Sequence, residues 1–527
     1  MRRLGRGVLG AALTAGLMAG GAWAKVVDFR IVETISPAFD GTAFGEGAYE
    51  RIDAIAEFAI DPKSERGQRI VDLDKAPVDA AGMVRFSTEV TILRPVDAPK
   101  GSGMLFYDVP NRGRNLAFML MNLSSGAGIP KAAEDAGDGY LMAEGYTIVW
   151  SGWQTGLPDE LLNLTLPVLP EVTGLSREEF VFDKPGAASE AALSYPAADL
   201  DPAKATLTVR QRATDPRATP AGLGFRYLSP TAIEITRPEG FDAGAIYEFI
   251  YPAKDAVPAG LAFVATSDLI SFLRGSPGHD AESPLAGITH TVGLGISQSG
   301  RFLRDLIYQG FNADEAGARV FDGAIPHIAG SRKTFTNYRF AQPGRYSRQH
   351  EDHDFPGDQF PFTYAEATDP VTGRAESILS ACRATDTCPK IMHTDTSTEF
   401  WQARASLVST SPAGEPLTMP EDVRLYYIAG APHFGPWSAK SGATETCRFP
   451  SNPVSSAPVM RALLAAMRDW VQADKAPPAS RYPSLADGTL VTLADLKLPS
   501  LPEGELVPPF NELKAQDYGS LPPKAGA

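Results

Sequence analysis

The run Thr291-Val292-Gly293-Leu294-Gly295-Ile296-Ser297-Gln298-Ser299-Gly300-Arg301-Phe302 permits few arrangements of the backbone. Val292, Leu294 and Ile296 alternate with small or polar residues, which is the period of a strand. From Phe302 the apolar positions are Phe302, Leu303, Leu306 and Ile307, with Arg301, Arg304 and Asp305 between them. That spacing predicts an amphipathic helix, and Gly310 is placed to end it. Strand and helix meet with a serine at the corner. So sharp a turn forces its central residue into strained φ/ψ, and the residues two positions to either side must be small. Gly295 and Ser299 meet that demand around Ser297. Centring the turn on Ser299 would put Arg301 where a small residue is required. Ser297 is therefore the candidate nucleophile. The usual pattern ends in Gly where this chain has Ser299, and an ordinary Gly/Ser-rich turn is the competing reading, so the rest of the chain must supply the partners.

A serine that transfers acyl groups needs a base to take its proton and an acid to orient that base. A strand, serine turn and helix in this order form the nucleophile elbow of the α/β-hydrolase fold, where the acid and then the histidine follow the serine along the chain. His433 is the one histidine after the last candidate acid, and it stands in the Gly/Pro loop Gly430-Ala431-Pro432-His433 after an apolar strand, Val423 to Ala429. Two acids follow the predicted strand Lys390–Thr394. Asp395 lies at its end. Glu399 lies in the first turn of the next helix, predicted over Ser397–Val408, where Thr396-x-x-Glu399 also reads as a capping box. Chemistry alone leaves the two open. The oxyanion hole calls for two backbone N–H donors. One is Gln298, at a helix N-terminus. The other comes from Asn111 or Arg112, in the loop after the predicted strand Met104–Val109.

The rest of the chain sets the class. Residues 1–24 read as an export signal, with Arg2, Arg3 and Arg6, a short apolar run from Val8 to Leu17, and Ala22-Trp23-Ala24 as a cleavage site. The apolar run is well short of the ~20 residues a membrane span needs, and no later stretch is long and apolar enough. The formal charge of −15 becomes −18 once those arginines are removed. So acidic an exported protein does not favour nucleic acid or an anionic membrane surface. It suits a small neutral or cationic partner, without stable membrane insertion. Three cysteines are present, and export permits a disulfide. Cys382 and Cys388 flank a turn and are the favoured pair, although either could pair with Cys447.

The 527 residues exceed one average domain, and 43% hydrophobic content supplies a large core. Residues 25–98 read as an N-terminal β extension packed on the main sheet. Tyr146–Trp150 is a strand, and Trp153 beyond it reads either as a pocket wall or as core. Residues 156–251, rich in proline and strand-like runs, read as a β-rich insertion. Residues 326–387 read as a lid-like insertion, and 477–527 as a Pro-rich tail.

Three blocks carry a resemblance: Gly295–Arg304, Arg339–His353, and Ser397-Thr398-Glu399-Phe400-Trp401, with Asn111-Arg112-Gly113 and Tyr146–Trp153 fitting as well. Together they resemble a bacterial family of exported α/β-hydrolase-domain proteins across nearly all of residues 25–527. The resemblance implies a serine hydrolase fold with the Glu-aromatic-Trp block as a hallmark, and it tips the acid to Glu399. It says little about substrate. The expectation is an α/β-hydrolase that cleaves a carboxylic ester with Ser297, Glu399 and His433, needs no cofactor, and contacts its small-molecule substrate through Trp153 and Trp401. Three rivals remain: an amidase or peptidase with the same triad, a non-catalytic binding protein, and a metal-dependent hydrolase using His350 and His353 with the neighbouring carboxylates. Arg345 and Arg348 would oppose a cation there.

Overall fold

A computed structural model describes residues 25–45, 47–345, 356–435, 437, 452–497, 514–519, 522, 524 and 525. The predicted export signal, His350 and His353, and Cys447 lie outside the described residues.

An eleven-stranded sheet carries the architecture. Its principal strands are β1 (Lys25–Ile35), β2 (Gly47–Ile60), β3 (Val84–Pro95), β4 (Met104–Val109), β5 (Thr147–Ser151), β6 (His290–Ile296), β7 (Gly323–His327), β8 (Lys390–Thr396) and β9 (Val423–Ile428). They lie in the order β1-β2-β3-β5-β4-β6-β7-β8-β9. The first three are antiparallel and β3 pairs antiparallel with β5, whereas β5 through β9 run parallel. The strands of residues 25–98 extend the edge of the main sheet. The central strands are buried on both sides, as parallel strands covered by helices must be. Every residue of β4, β5 and β7 is buried.

Two cores flank the sheet. One face packs on α2 (Leu261–Leu273) and α3 (Gln298–Tyr308), the other on α1 (Leu116–Asn122) and α5 (Ala457–Ala473). The alternation in β6 explains the asymmetry. Val292, Leu294 and Ile296 belong to the α1/α5 core. The intervening glycines face α3: a Cβ on Gly293 would meet Leu303 and Phe321 at 3.2 Å, and one on Gly295 would sit 2.2 Å from the Ser299 carbonyl oxygen. The missing side chains let the helix start directly on the sheet.

The strand order reverses between β4 and β6. The chain leaves β4 through α1 to reach β5 on one side, while β6 pairs on the other. A crevice at the carboxyl ends of these strands is where open α/β sheets place their ligands. Between β5 and β6, two three-stranded antiparallel sheets form, one from 174–181, 206–210 and 246–253, the other from 188–192, 224–229 and 232–236. Their apolar faces, including Ile233, Ile235, Tyr247 and Phe249, join the α2/α3 core.

α3 departs from the amphipathic expectation. Arg301, Arg304 and Asp305 are buried, because the segment after β7 folds over them. Arg304 donates to the carbonyls of Ser331, Arg332 and Phe362 at 2.5–3.1 Å, and its guanidinium lies 4.8 Å from the Tyr364 ring centre. Asp305 accepts from Thr334 Oγ1 at 2.8 Å. A polar helix face can thus be sealed by backbone carbonyls as well as by water. Beyond α5 the tail adds to the sheet edge: Arg481 bridges Tyr426 in parallel, and Tyr427 N–H donates to the Arg481 carbonyl at 2.7 Å. A disulfide joins Cys382 and Cys388.

Asp72 ties the β2–β3 connection to the segment after β7. Arg339 donates to both its oxygens at 2.6 and 2.7 Å, and Lys75 adds a third bond. The hydrogen bonds from Arg339 are the main reason its carboxyl is held down to about 2. A depressed carboxylate stabilises the fold above its unfolded value, and that contribution is lost as pH falls through the folded one. Asp72→Asn is therefore expected to cost about 1 kcal/mol at neutral pH, with Arg339 half exposed, and almost nothing near the folded pKa. Urea unfolding at both pH values measures the difference.

Candidate active site

The β6–α3 corner puts Ser297 at φ +60° and ψ −114°, a conformation side-chain-bearing residues rarely adopt. Such strain costs on the order of 1–3 kcal/mol and persists only where the surroundings fix it. Here they do. Ser297 N–H donates to the His327 carbonyl at 2.8 Å, tying the corner to β7. Ser297 O accepts from Arg301 N–H at 3.0 Å, starting the helix. A Cβ on Gly300 would lie 2.9 Å from Gly295 O and 3.0 Å from His327 O, so both flanks of the corner are closed by backbone.

Ser297 Oγ lies 2.8 Å from His433 Nε2. His433 Nδ1 lies 2.5 Å from Glu399 Oε1. The three residues come from the end of β6, the loop after β9 and the first turn of α4 (Ser397–Gln402). Glu399 is 1% exposed and serves two partners, one per oxygen. Oε1 meets the histidine, and Oε2 accepts from Thr396 N–H at 2.8 Å and Thr396 Oγ1 at 2.5 Å. The capping box and the histidine contact therefore coexist. Thr398 Oγ1 accepts from His433 N–H at 3.0 Å and seats the loop. α4 is shorter than predicted, because the chain breaks at Ala403 and at Arg404 (φ +50°) before a second turn at Ser406–Ser409.

Asp395, the alternative acid, is committed elsewhere. Its oxygens meet His393 Nε2 at 2.7 Å, Tyr482 OH at 2.6 Å and Gly330 N–H at 3.0 Å, all buried or partly so. These bonds join β8, the loop after β7 and the tail. They form a second histidine–carboxylate pair behind the first. Tyr364 OH completes it at 3.0 Å from His393 Nδ1. His327, whose carbonyl holds the corner, is pushed down to about 3 by burial, so its ring is neutral.

On the loop after β4, Asn111 N–H donates to the Arg114 carbonyl at 2.8 Å. Its side chain instead holds Ile296 O at 2.8 Å, fixing this loop to the strand before the serine. Arg112 N–H points to Gln154 Oε1 at 3.1 Å. Gln298 opens α3, where backbone N–H groups of the first turn have no helical acceptor.

The two tryptophans differ in their surroundings. Trp153 is 2% exposed, bonds to Pro110 O at 2.6 Å and packs its ring on Phe302 at 4.2 Å, so it is core. Trp401 is on the open side of α4, 41% exposed, two residues from the buried Glu399. Sequence reasoning missed Gln154, Thr398 and Phe434, whose ring stands edge-on to His433 at 4.5 Å. The position of Phe434 directly after the histidine was the available signal. It also missed a buried basic cluster: burial, with Arg332 and Arg112 nearby, pulls the Arg301 guanidinium down, while Asp358 and Glu399 oppose the shift. Asp358 in turn accepts from Arg332 at 2.8 and 3.0 Å. Among the described residues, no cluster of three metal-ligating side chains occurs.

A mixed sheet whose central strands run parallel, with a strained serine corner where the strand order reverses, is the architecture of an α/β-hydrolase. The chain belongs to the alpha/beta hydrolase domain family, whose model matches residues 163–497, more than half the chain. That span includes Ser297, Glu399 and His433 but not the loop at Asn111. Among solved structures, the chain is similar to a glucuronoyl esterase from Solibacter usitatus, with 11% identity over 84% of this chain and 86% of that one and a TM-score of 0.30. It is also similar to the rice cell wall degrading esterase LipA from Xanthomonas oryzae, with 12% identity over 57% of this chain and 49% of that one and a TM-score of 0.22. No curated protein matches the chain.

The bonds of Asp395 predict a structural role for it. Asp395→Asn is expected to lower stability by about 2–3 kcal/mol, because it breaks a buried pair. Turnover per folded molecule should stay within about tenfold of the parent. Thermal melts alongside active-site titration separate the two effects.

Proposed function

We propose that the protein is a serine hydrolase that cleaves carboxylic esters through an acyl-enzyme. One observation carries this reading: the continuous chain from Ser297 Oγ through His433 to Glu399, at 2.8 and 2.5 Å. In this mechanism Ser297 Oγ attacks the ester carbonyl carbon while His433 Nε2 takes its proton. The resulting imidazolium is held at Nδ1 by Glu399, whose other oxygen is anchored by Thr396. The tetrahedral oxyanion sits against the N–H groups of Gln298 and Arg112, each such donor being worth about 3 kcal/mol. As the intermediate collapses, the alcohol departs with the proton from His433. Water activated by the same histidine then frees the acid and restores Ser297. Arg112 N–H swings from Gln154 to the oxyanion in this reading, which makes Gln154 a positioning residue for the hole. An exported location fits the disulfide between Cys382 and Cys388.

Labelling with a fluorophosphonate and mapping the adduct by mass tests the nucleophile. One adduct per chain on Ser297 is expected, and a folded protein that takes no label overturns the proposal. Ser297→Ala should lose on the order of 10⁴-fold or more in kcat with the parent's melting behaviour, and Glu399→Gln roughly 10²- to 10⁴-fold per folded molecule, with a lowered melting temperature because its buried bonds to His433 and Thr396 are weakened. A Glu399→Gln rate near the parent's would remove Glu399 from the triad.

A further inference from the structure

Among the described residues only two aromatic side chains stand open to solvent, Trp401 and Phe434, the latter 55% exposed. Both lie beside the triad in the chain: Trp401 comes two residues after Glu399, and Phe434 directly follows His433. Singly exposed apolar residues are ordinary on protein surfaces. What sets Phe434 apart is where the catalytic geometry puts it. The proton taken from Ser297 rests on His433 Nε2, 2.8 Å from Ser297 Oγ, and must pass to the departing oxygen. Such a donor works within about 2.6–3.2 Å of its acceptor. The alcohol oxygen is therefore the substrate atom that meets the imidazole, and the carbon chain of the alcohol begins there. The acyl chain begins instead at the carbon bonded to Ser297 Oγ.

The Phe434 ring is packed on that imidazole at 4.5 Å between ring centres, and Trp437 braces it from 5.5 Å. Trp437 is itself buried, with Nε1 donating to Ser456 Oγ at 3.1 Å. One side of Phe434 is thus fixed and the rest is open beside the reacting atoms. The loop reads Gly430-Ala431-Pro432-His433-Phe434-Gly435-Pro436-Trp437, so His433 and Trp437 carry its only polar side-chain atoms, and both have partners. The segment that crosses it is apolar or engaged as well. A Cβ on Gly435 would lie 2.7 Å from Val454 O, and the Val454 side chain is exposed. Asn452 Nδ2 donates to Gly430 O at 2.7 Å, while its Oδ1 accepts from Val454 N–H at 3.0 Å. An apolar alcohol half would bury surface on Phe434 and leave no hydrogen bond unmade. The hydroxyls of a sugar would find no free side-chain partner on this loop.

We infer that Phe434 is a specificity-determining contact for the alcohol half of the ester and selects an apolar alcohol. The inference rests on the esterase reading of the same site.

Two ester series, followed by pH-stat, separate the halves of the substrate. One keeps the acetyl group and varies the alcohol through methyl, butyl and hexyl acetate, with acetylated methyl glucopyranoside as the sugar probe. The other keeps the methyl ester and varies the acid from acetate to hexanoate. In the parent, kcat/KM should rise about tenfold or more from methyl to hexyl acetate. Phe434→Ala should remove most of that rise, and Phe434→Leu, still apolar, should retain most of it, while the methyl-ester series keeps the parent's slope in both. A Phe434 that merely braces His433 would lower every ester by one common factor, and that result overturns the inference. So do a flat alcohol series in the parent, a change confined to the acyl series, or preference for the sugar ester. In parallel, 1-hexanol is titrated by ligand-observed NMR into the Ser297→Ala protein with and without Phe434→Ala, which should weaken binding about fivefold or more. If that loss is seen and no ester is cleaved, the contact stands and the esterase reading alone falls. Equal affinity, or no binding to the folded protein, overturns the contact whatever the rates.

Discussion

Everything at this site depends on one close approach, that of the α3 backbone to the β6 backbone. Gly295 admits the Ser299 carbonyl at a distance no Cβ would allow, and Gly300 admits Gly295 and His327 in return. Because the helix begins without a connecting loop, Ser297 is left at positive φ with its side chain at the carboxyl end of the sheet. The strain is offset by packing: Val292, Leu294 and Ile296 anchor one face of the strand, and Phe302, Leu303 and Leu306 anchor the helix on the other. A corner supported on both sides is pre-organised at Ser297 and Gln298, and in the proposed mechanism only the Arg112 N–H has to reorient.

The partners of the serine are held by equally local devices. Thr396 caps α4 through Glu399 Oε2, which leaves only Oε1 to face His433. A carboxylate with its second oxygen fixed cannot rotate, and the histidine it meets is held in one orientation. His433 also gains a backbone anchor on Thr398, so α4 positions both acid and base. Behind them, Asp395 binds β8, the loop after β7 and the tail to one another through His393, Gly330 and Tyr482. Two histidine–carboxylate pairs with similar geometry therefore stand in neighbouring layers. Only the outer one reaches the serine. His433 keeps about a quarter of its side chain exposed, whereas His393 is sealed.

How much of this could be read in advance follows from where the information resides. The corner was legible because its constraints are local: alternation, small residues and a helix period all occur within residues 291–307. His433 was legible through chain order. The choice between Glu399 and Asp395 was not settled by chemistry, since both follow the same strand, and side-chain direction at a strand end is a tertiary property. The capping box at Thr396 looked like a competitor to catalysis only because one carboxylate was given one task. Trp153 was ambiguous for the opposite reason: an indole suits a pocket wall or a core equally, and Phe302 and Pro110 decide it. The N-terminal strands were recognised as strands, but nothing local says whether a β run lies on a sheet's face or extends its edge.

The largest departure concerns α3, and it has a consequence for the site. Arg301 and Arg304 look like a solvated helix face in the sequence, yet Arg304 is fully buried and Arg301 nearly so. The segment after β7 covers them with carbonyls and with Asp358, in a chain whose overall charge is strongly negative. Arg301 stands one helical turn beyond Ser297, near enough to Glu399 for each charge to stabilise the other. Burying arginine is costly unless carboxylates or carbonyls surround it. The chain meets that cost in the segment after β7. Sealing the helix and balancing the charge beside the acid are thus two effects of one stretch of chain, and a change in that stretch acts on both together.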